Sequence, residues 1–176
     1  MFSWKKHFLY QIDYQHWAND RLFEALAHLN ESALSSVDAP HVGSLLQLLV
    51  RQHSELLWWW AHLRGEPARS GTEPRDFRTA CQALRQDVRA LQHWLENQPD
   101  EFFDSQVEYR ARHQQQCRDW SRDLLSQLSL QLAFLRGQMA AVAARLGAPA
   151  IGMDFIDYKR DVRNTLDHLA GAHDKA

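Results

Sequence analysis

The chain reads as an all-α bundle, and three observations carry that reading. Four long segments place apolar residues at intervals of three and four, the repeat of an amphipathic helix. The breaks between them are marked by Pro, Gly and Asn. The 176 residues, 45% hydrophobic, suffice to bury one core and leave little room for a second. A single domain over residues 1–170 with a disordered tail at 171–176 is expected.

The first segment runs from about Ser3 to Leu29, with Phe8, Ile12, Leu22, Leu26 and Leu29 at helical spacing and Asn30 near its end. A loop through Ser35, Ser36, Asp38 and Pro40 follows. The second helix opens near Gly43 or Ser44, either able to act as N-cap, and runs to about Arg64, where Gly65 and Pro67 stop it. One of its faces reads Leu45, Leu49, Gln52, Leu56, Trp59 and Leu63; a neighbouring face reads Leu46, Val50, His53, Leu57 and Trp60. The third starts around Pro74 and turns Phe77, Cys81, Leu84, Val88, Leu91 and Leu95 inward before Asn97 and Pro99 end it.

Between Asp100 and Arg118 the helical repeat fails. Val107 and Tyr109 alternate with Glu108 and Arg110, the period of a strand, and His113 to Gln116 could form the polar turn of a short β-hairpin. Asp119 or Ser121 then opens the last long helix. Its stripe of Leu125, Leu128, Leu132, Leu135, Met139, Val142 and Leu146 ends at Gly147 and Pro149. The segment from Ile151 to Tyr158 is apolar enough to dock, and the charged end from Lys159 to Ala176 is expected to fray.

A net charge of −2 with interspersed signs offers no block of like charge for a phosphate backbone or an anionic lipid surface, so neither nucleic acid nor membrane is an expected partner. No stretch approaches the roughly 18 apolar residues of a membrane helix, and MFSWKKHFLYQ lacks a signal peptide's apolar run, so a cytoplasmic location is expected. Two cysteines, Cys81 and Cys117, are too few and too isolated for a disulfide framework; Cys81 falls on the packed side of its helix.

Several short motifs occur in order along the chain: Tyr14, Trp17, Ala18 and Asn19 with Arg21 and Leu22; Gly43-Ser44-Leu45; Trp59 with Leu63, Gly65, Glu66 and Pro67; Trp120; Arg136-Gly137-Gln138; Leu146-Gly147; and Asp154 to Tyr158. Together they resemble the DinB-like (DinB/YfiT-like) family of helical bundles over nearly the whole chain. The resemblance implies a four-helix up-down-down-up bundle and frequent homodimers. It also implies a zinc or nickel ion held by three histidines, in some members serving thiol-dependent transferases or hydrolases.

Carried over residue by residue, those three ligand positions fall on Arg51, Gln131 and Leu135. Arginine repels a cation, leucine has no lone pair, and an amide is a feeble ligand for a transition metal. No metal cofactor is therefore expected, and the chain looks like a degenerate family member. Substitute ligands would have to come from His53, His16 or His62. His53 lies about 200° around the helix from Arg51, and packing among Val50, Leu57 and Trp60 is its plainer role. His16 stands beside Trp17, where a surface or interface role is the plainer one. His62 is expected near the exposed helix end. No HExxH, HxH or i,i+4 histidine pair exists, nor any GxSxG or glycine-rich phosphate loop.

Arg51, Gln131 and Glu55 are expected to face one another across an interior made apolar by Trp17, Leu135 and Trp59. Two readings of that pocket stay open: a polar plug in which Arg51 pairs with Glu55, or a site clamping the carboxylate or phosphate of a small anionic ligand. The run Trp58-Trp59-Trp60 spans about 300° of helix and cannot all face one core. Trp58 and Trp60 therefore become candidates for a homodimer interface, with burial of Trp58 beneath a loop or the docked tail as the alternative. Three functional classes follow: a metal-free pseudo-enzyme or ligand- or partner-binding bundle, a metal-dependent transferase or hydrolase using substitute ligands, and a structural or regulatory homodimer.

Overall fold

The computed structural model describes residues 2–37, 42–67 and 76–173, with side chains to residue 165. Among the described residues the order is α1 (Trp4–Leu26), α2 (Glu31–Ser35), α3 (Leu45–Leu63), α4 (Phe77–Glu96), a 3-10 turn (Asp100–Asp104), β1 (Gln106–Arg110), β2 (Gln116–Trp120), α5 (Ser121–Arg145) and α6 (Phe155–His173). The protein is mostly helical with one small antiparallel sheet. No helix among the described residues is long and apolar enough to cross a membrane.

Local signals set the helix limits. Ser3 caps α1, its side chain accepting from the Lys6 amide, and Asp76 caps α4 by accepting from Thr79. At α3 the cap is reciprocal: Ser44 Oγ accepts from the Gln47 amide at 3.1 Å and Gln47 Oε1 from the Ser44 amide at 2.9 Å. Gly43 enters this capping box with φ +84°, a conformation that favours glycine, and a Cβ there would stand 2.6 Å from Gln47 Oε1 and push that side chain out of the cap. α5 opens at Ser121, one of the two expected starts, with Trp120 in the N-cap position and no side-chain cap bond.

The inward stripes build one core. α1 packs on α4 and α5, and α3 packs on the same two helices. Phe8, Ile12, Leu22 and Leu26 meet Leu45, Leu49 and Leu56, then Leu84, Val88, Leu91 and Leu95, with Leu125, Leu128, Leu132, Leu135 and Met139 completing the interior. Each such side chain stabilises the fold by about 1.5–3 kcal/mol when fully buried. Cys81 is buried as expected, and burial pushes its thiol up to about 12.

Two expectations need correction. The short helix α2 had no periodic signal; it forms because Asn30 accepts from the Ala33 amide and Leu34 is buried. The segment beyond Lys159, expected to fray, is helical: α6 continues to His173, so residues 171–173 of the expected tail are helical and 174–176 lie outside the described residues. α6 is anchored at its start by Tyr158, only 4% exposed, against a ridge of Tyr10, Tyr14 and Trp17 on α1. Pro74, the expected opening of the third helix, and Asp38 and Pro40 of the expected loop also lie outside the described residues.

The hairpin forms with Gln106 opposite Trp120 and Arg110 opposite Gln116. Its turn spans Ala111 to Gln115, closed by the Ala111 amide on the Gln115 carbonyl, so Gln116 belongs to the second strand. β1 lies on α3 and β2 on α5, which folds the hairpin over the end of the helical core.

Candidate functional site

Four of the buried polar residues, Gln15, Asn19, Gln52 and Arg136, gather in one place. Along the buried stripe of α1, Gln15 and Asn19 replace the apolar residues expected between Ile12 and Leu22; both are 2% exposed. Gln52 occupies the same depth on α3 at 0%, and Arg136 on α5 at 2%. Arg136 Nη1 donates to Gln15 Oε1 at 2.8 Å and Asn19 Oδ1 at 3.0 Å. Gln52 Nε2 donates to the Leu132 carbonyl at 3.1 Å and reaches Asn19 Oδ1 at 3.5 Å. The guanidinium carbon sits 5.3 Å from the Tyr14 ring centroid.

Among the described residues no carboxylate pairs with Arg136. Burial pulls its guanidinium below the ordinary range while Tyr14 works the other way, but a guanidinium does not lose its proton in a protein. A full positive charge thus sits in the core, held by neutral amide oxygens. Arg136 Nη2 and Gln52 Oε1 remain without partners.

Beside this cluster lies a cavity of about 310 Å³ bounded by α1, α5 and the start of α6. Tyr14 and Gln15, two residues around the guanidinium, line it with Gln11, Ser126 and Ser129; Leu130, Ala133 and Phe155 supply apolar walls. Gln11 Oε1 and Ser129 Oγ are buried without partners. Tyr14 is fixed by donating to the Met153 carbonyl at 2.8 Å. Apolar walls with a few convergent polar groups are the usual make-up of a small-molecule site, and the volume lies at the small end of the range.

The residues expected to form the pocket do not meet there. Arg51 is exposed and points away from the interior, into an open groove with Leu46, Gln47, Val50, Ser54, Glu55 and Arg112. Glu55 pairs with Arg112 at 2.9 Å, where Arg51 was expected. Gln131 is half-buried and Leu135 fully buried. The cause is helical phase: one residue along α3 is about 100°, so Gln52 faces inward and its neighbour Arg51 outward. Trp17 lies at the α6 contact, its Nε1 donating to Asp161 Oδ2 at 3.1 Å. Trp59 is half-buried, its ring 6.0 Å from Tyr109.

The histidines named as substitute ligands are spread apart in role. His53 pairs with Asp87 of α4 at 2.5 Å. His16 is half-buried, and burial lowers its pKa, with Arg89 adding to the effect. His62, expected exposed, is 9% exposed because the hairpin covers it: Trp58 lies 4.1 Å and Tyr109 5.1 Å from its ring. No group of three His, Cys, Asp or Glu among the described residues is placed to hold a metal ion. The side chains at 51, 131 and 135 do not fit one either, being an exposed cation, an amide and a hydrocarbon.

The tryptophan run divides as its geometry requires, with a different outcome for the interface. Trp60 is 7% exposed and packs on Trp94 and under Arg64, so it has almost no surface for a second chain. Trp58 lies under the hairpin, between Tyr109 and Arg112.

Sequence reading missed Gln15, Gln52 and Arg136 as a unit. The signal was present: Gln15 and Asn19 continue the series Phe8, Ile12, Leu22, Leu26, and Arg136 adjoins the buried Leu132, Leu135 and Met139. Comparison of the chain with protein-family models and with curated proteins yields no match in either case.

Proposed function

We propose that this chain is a metal-free, DinB-like four-helix bundle of the up-down-down-up type that binds a small amphiphilic anion in the cavity beside Arg136. The observation that carries the proposal is the uncompensated guanidinium behind a cavity wall made by its own neighbours, Tyr14 and Gln15. A charge in a low-dielectric interior acts strongly on its surroundings, so the cavity favours an anionic head over a cationic one. Gln11 Oε1 and Ser129 Oγ offer further polar contacts, and Leu130, Ala133 and Phe155 suit a short hydrocarbon or ring. A role as a binding protein fits this set better than catalysis, because the lining holds no nucleophile paired with a base.

The test is a titration of the full chain with matched small amphiphiles: a medium-chain carboxylate, the corresponding alcohol and the corresponding amine. Calorimetry should show the carboxylate binding and the amine not. Ala133→Phe, which fills the cavity from an exposed position, should abolish binding without loss of helicity. Equal affinity for amine and carboxylate, or carboxylate binding that survives Ala133→Phe, would overturn the proposal, as would no binding at millimolar concentration.

A further inference from the structure

Two residues belong both to the cavity wall and to the surface of the protein. Leu130 and Phe155 line the cavity beside Arg136, and they are 69% and 38% exposed, so the apolar wall continues outward through the mouth. Phe155 is fixed there by edge contacts with Tyr10 at 5.7 Å and Tyr14 at 5.3 Å. Outside, Phe134 stands one turn beyond Leu130 on α5 at 57% exposure, and Ile156 adjoins Phe155 at 54%. Arg136 is the only charged residue of α5 from Leu124 to Ala144, and it is buried, so this stretch of helix presents no charge to solvent. The outer face of α4, by contrast, reads Arg78, Gln82, Arg89, His93 and Glu96. A contiguous apolar patch opening into a cavity marks a place where something binds.

The continuity of patch and cavity says what covers them. A flat partner surface would close over the mouth and leave the space beneath it empty, whereas a hydrocarbon tail fills the mouth and lies on the patch as one body. The way past the mouth is open. Along the line Leu130, Phe134, Gly137, Ala141 the side chains shrink to hydrogen and methyl, and nothing lies within 4 Å of where a Gly137 Cβ would stand. Packing within the chain therefore does not account for glycine in mid-helix, where it is disfavoured. Beside Phe134 it leaves a notch roughly 10 Å along the helix from Leu130.

We propose that the anion bound beside Arg136 is a long-chain one of the fatty-acid type. Its polar head lies in the cavity, and its tail leaves between Leu130 and Phe155 and runs along α5 against Phe134 and the notch at Gly137. Such a ligand presupposes that the cavity is an anion site and extends it by the part the cavity does not hold. The guanidinium draws the head inward through a low-dielectric interior. The tail settles on the uncharged face of α5, where it displaces water from apolar surface and desolvates no charge. Phe134 and Gly137 do not line the cavity, so head charge and tail length are read by different residues.

Calorimetry of the full chain with hexanoate, octanoate, decanoate and dodecanoate, each below its critical micelle concentration, tests the tail. Affinity should rise about two- to fourfold with each added methylene through dodecanoate, the gain of groups leaving water. Phe134→Gln, at an exposed position, should keep the helicity and the affinity for hexanoate and weaken dodecanoate about tenfold. A nitroxide at the far end of dodecanoate should broaden the amide signals of Phe134 and Gly137 more than that of Gln11, which lines the cavity. No binding at any length would remove the anion site itself and the tail's seat with it. Binding that stops improving at octanoate, an equal effect of Phe134→Gln on hexanoate and dodecanoate, or broadening centred on Gln11 would overturn the tail's seat and leave the anion site standing. If Phe134→Gln instead changes the sedimentation of the unliganded chain and leaves the series as it was, a second copy covers this face and the proposal fails.

Discussion

Arg136 and His62 are both basic groups taken into the protein, and each keeps one nitrogen without a partner, Nη2 in the first and Nε2 in the second. Their surroundings differ. Arg136 is held in mid-core by the amide oxygens of Gln15 and Asn19, whereas His62 lies at the end of α3 among the rings of Trp58 and Tyr109. The difference follows from what each group can give up. A guanidinium keeps its charge, so the fold supplies oxygen acceptors; an imidazole sheds its proton, so it tolerates an aromatic cover. The centre of the protein therefore holds a fixed charge and the hairpin end holds a titratable one.

The largest effect expected from breaking this contrast is at the fixed charge. Arg136→Met keeps the length of the side chain but strands Gln15 Oε1 and leaves Asn19 Oδ1 only its long contact from Gln52, and should destabilise the protein by about 2–4 kcal/mol. Urea unfolding measures it. Adding Gln15→Leu and Asn19→Leu removes the stranded oxygens and should recover most of the loss. If Arg136→Met alone is as stable as the parent, the amides do not depend on the guanidinium and the contrast fails.

At the other end, Trp58→Ala removes a half-buried ring that touches both His62 and Arg112 and should cost about 2 kcal/mol. It should also loosen the hairpin over α3, seen as faster amide exchange in β1 and β2 with α1 and α4 unaffected. Uniform acceleration across the protein would mean that the hairpin end and the core unfold as one.

The two regions were unequally legible in the sequence. The limits of α3 were readable because Gly43, Ser44 and Gly65 act locally, within one turn of the helix end. The stripe of α5 was readable because burial there is periodic. Gln15, Asn19 and Arg136 were visible as polar residues on buried lines, yet their meeting depends on the packing of α1 against α5, which no local pattern encodes. Arg51 is one residue from Gln52, and on a helix that single step reverses inside and outside. His62 was misplaced for another reason. Its helix alone leaves it near an exposed end, and the cover arrives from Tyr109 and Arg112, far along the chain. The helical continuation past Lys159 was hidden by its charges, because what anchors it, the rings of Phe155 and Tyr158 against α1 and the Trp17–Asp161 hydrogen bond, depends on tertiary packing.

Titration separates the two basic groups more gently. Burial holds the His62 pKa below 6.5, with Arg112 adding to the effect and a backbone hydrogen bond at Arg110 opposing it. The unfolded chain therefore takes up the proton first as pH falls. Stability should be level with respect to this group above pH 6.5, fall as the pH drops below that value, and level again once the folded-state pKa is passed. His16, lowered by burial and Arg89, adds a slope of the same sign, so the measurement compares parent and His62→Gln. The variant should show a shallower decline between pH 6.5 and 5, and Trp58→Ala, by wetting the ring, should do the same. Arg136→Met should leave the slope unchanged; a change there would tie the two regions together.

The smallest effect lies in the turn that positions the cover. Gln114 adopts φ 63°, the single positive value among the described residues other than glycine, and its amide bonds the Ala111 carbonyl at 2.8 Å. A side chain in the left-handed region costs about 1–2 kcal/mol, which glycine avoids while giving back about 0.5–1 kcal/mol of backbone entropy. Gln114→Gly should therefore stabilise the protein by about 0.5 kcal/mol, raising the midpoint of thermal unfolding by about 1–2 °C. Gln114→Val, β-branched at the same φ, should lower it. Because the turn carries Arg112 over Trp58, Gln114→Gly should also slow amide exchange in β1 and β2 without changing that of α1, and slower exchange in both would show that the hairpin's stability is shared by the core.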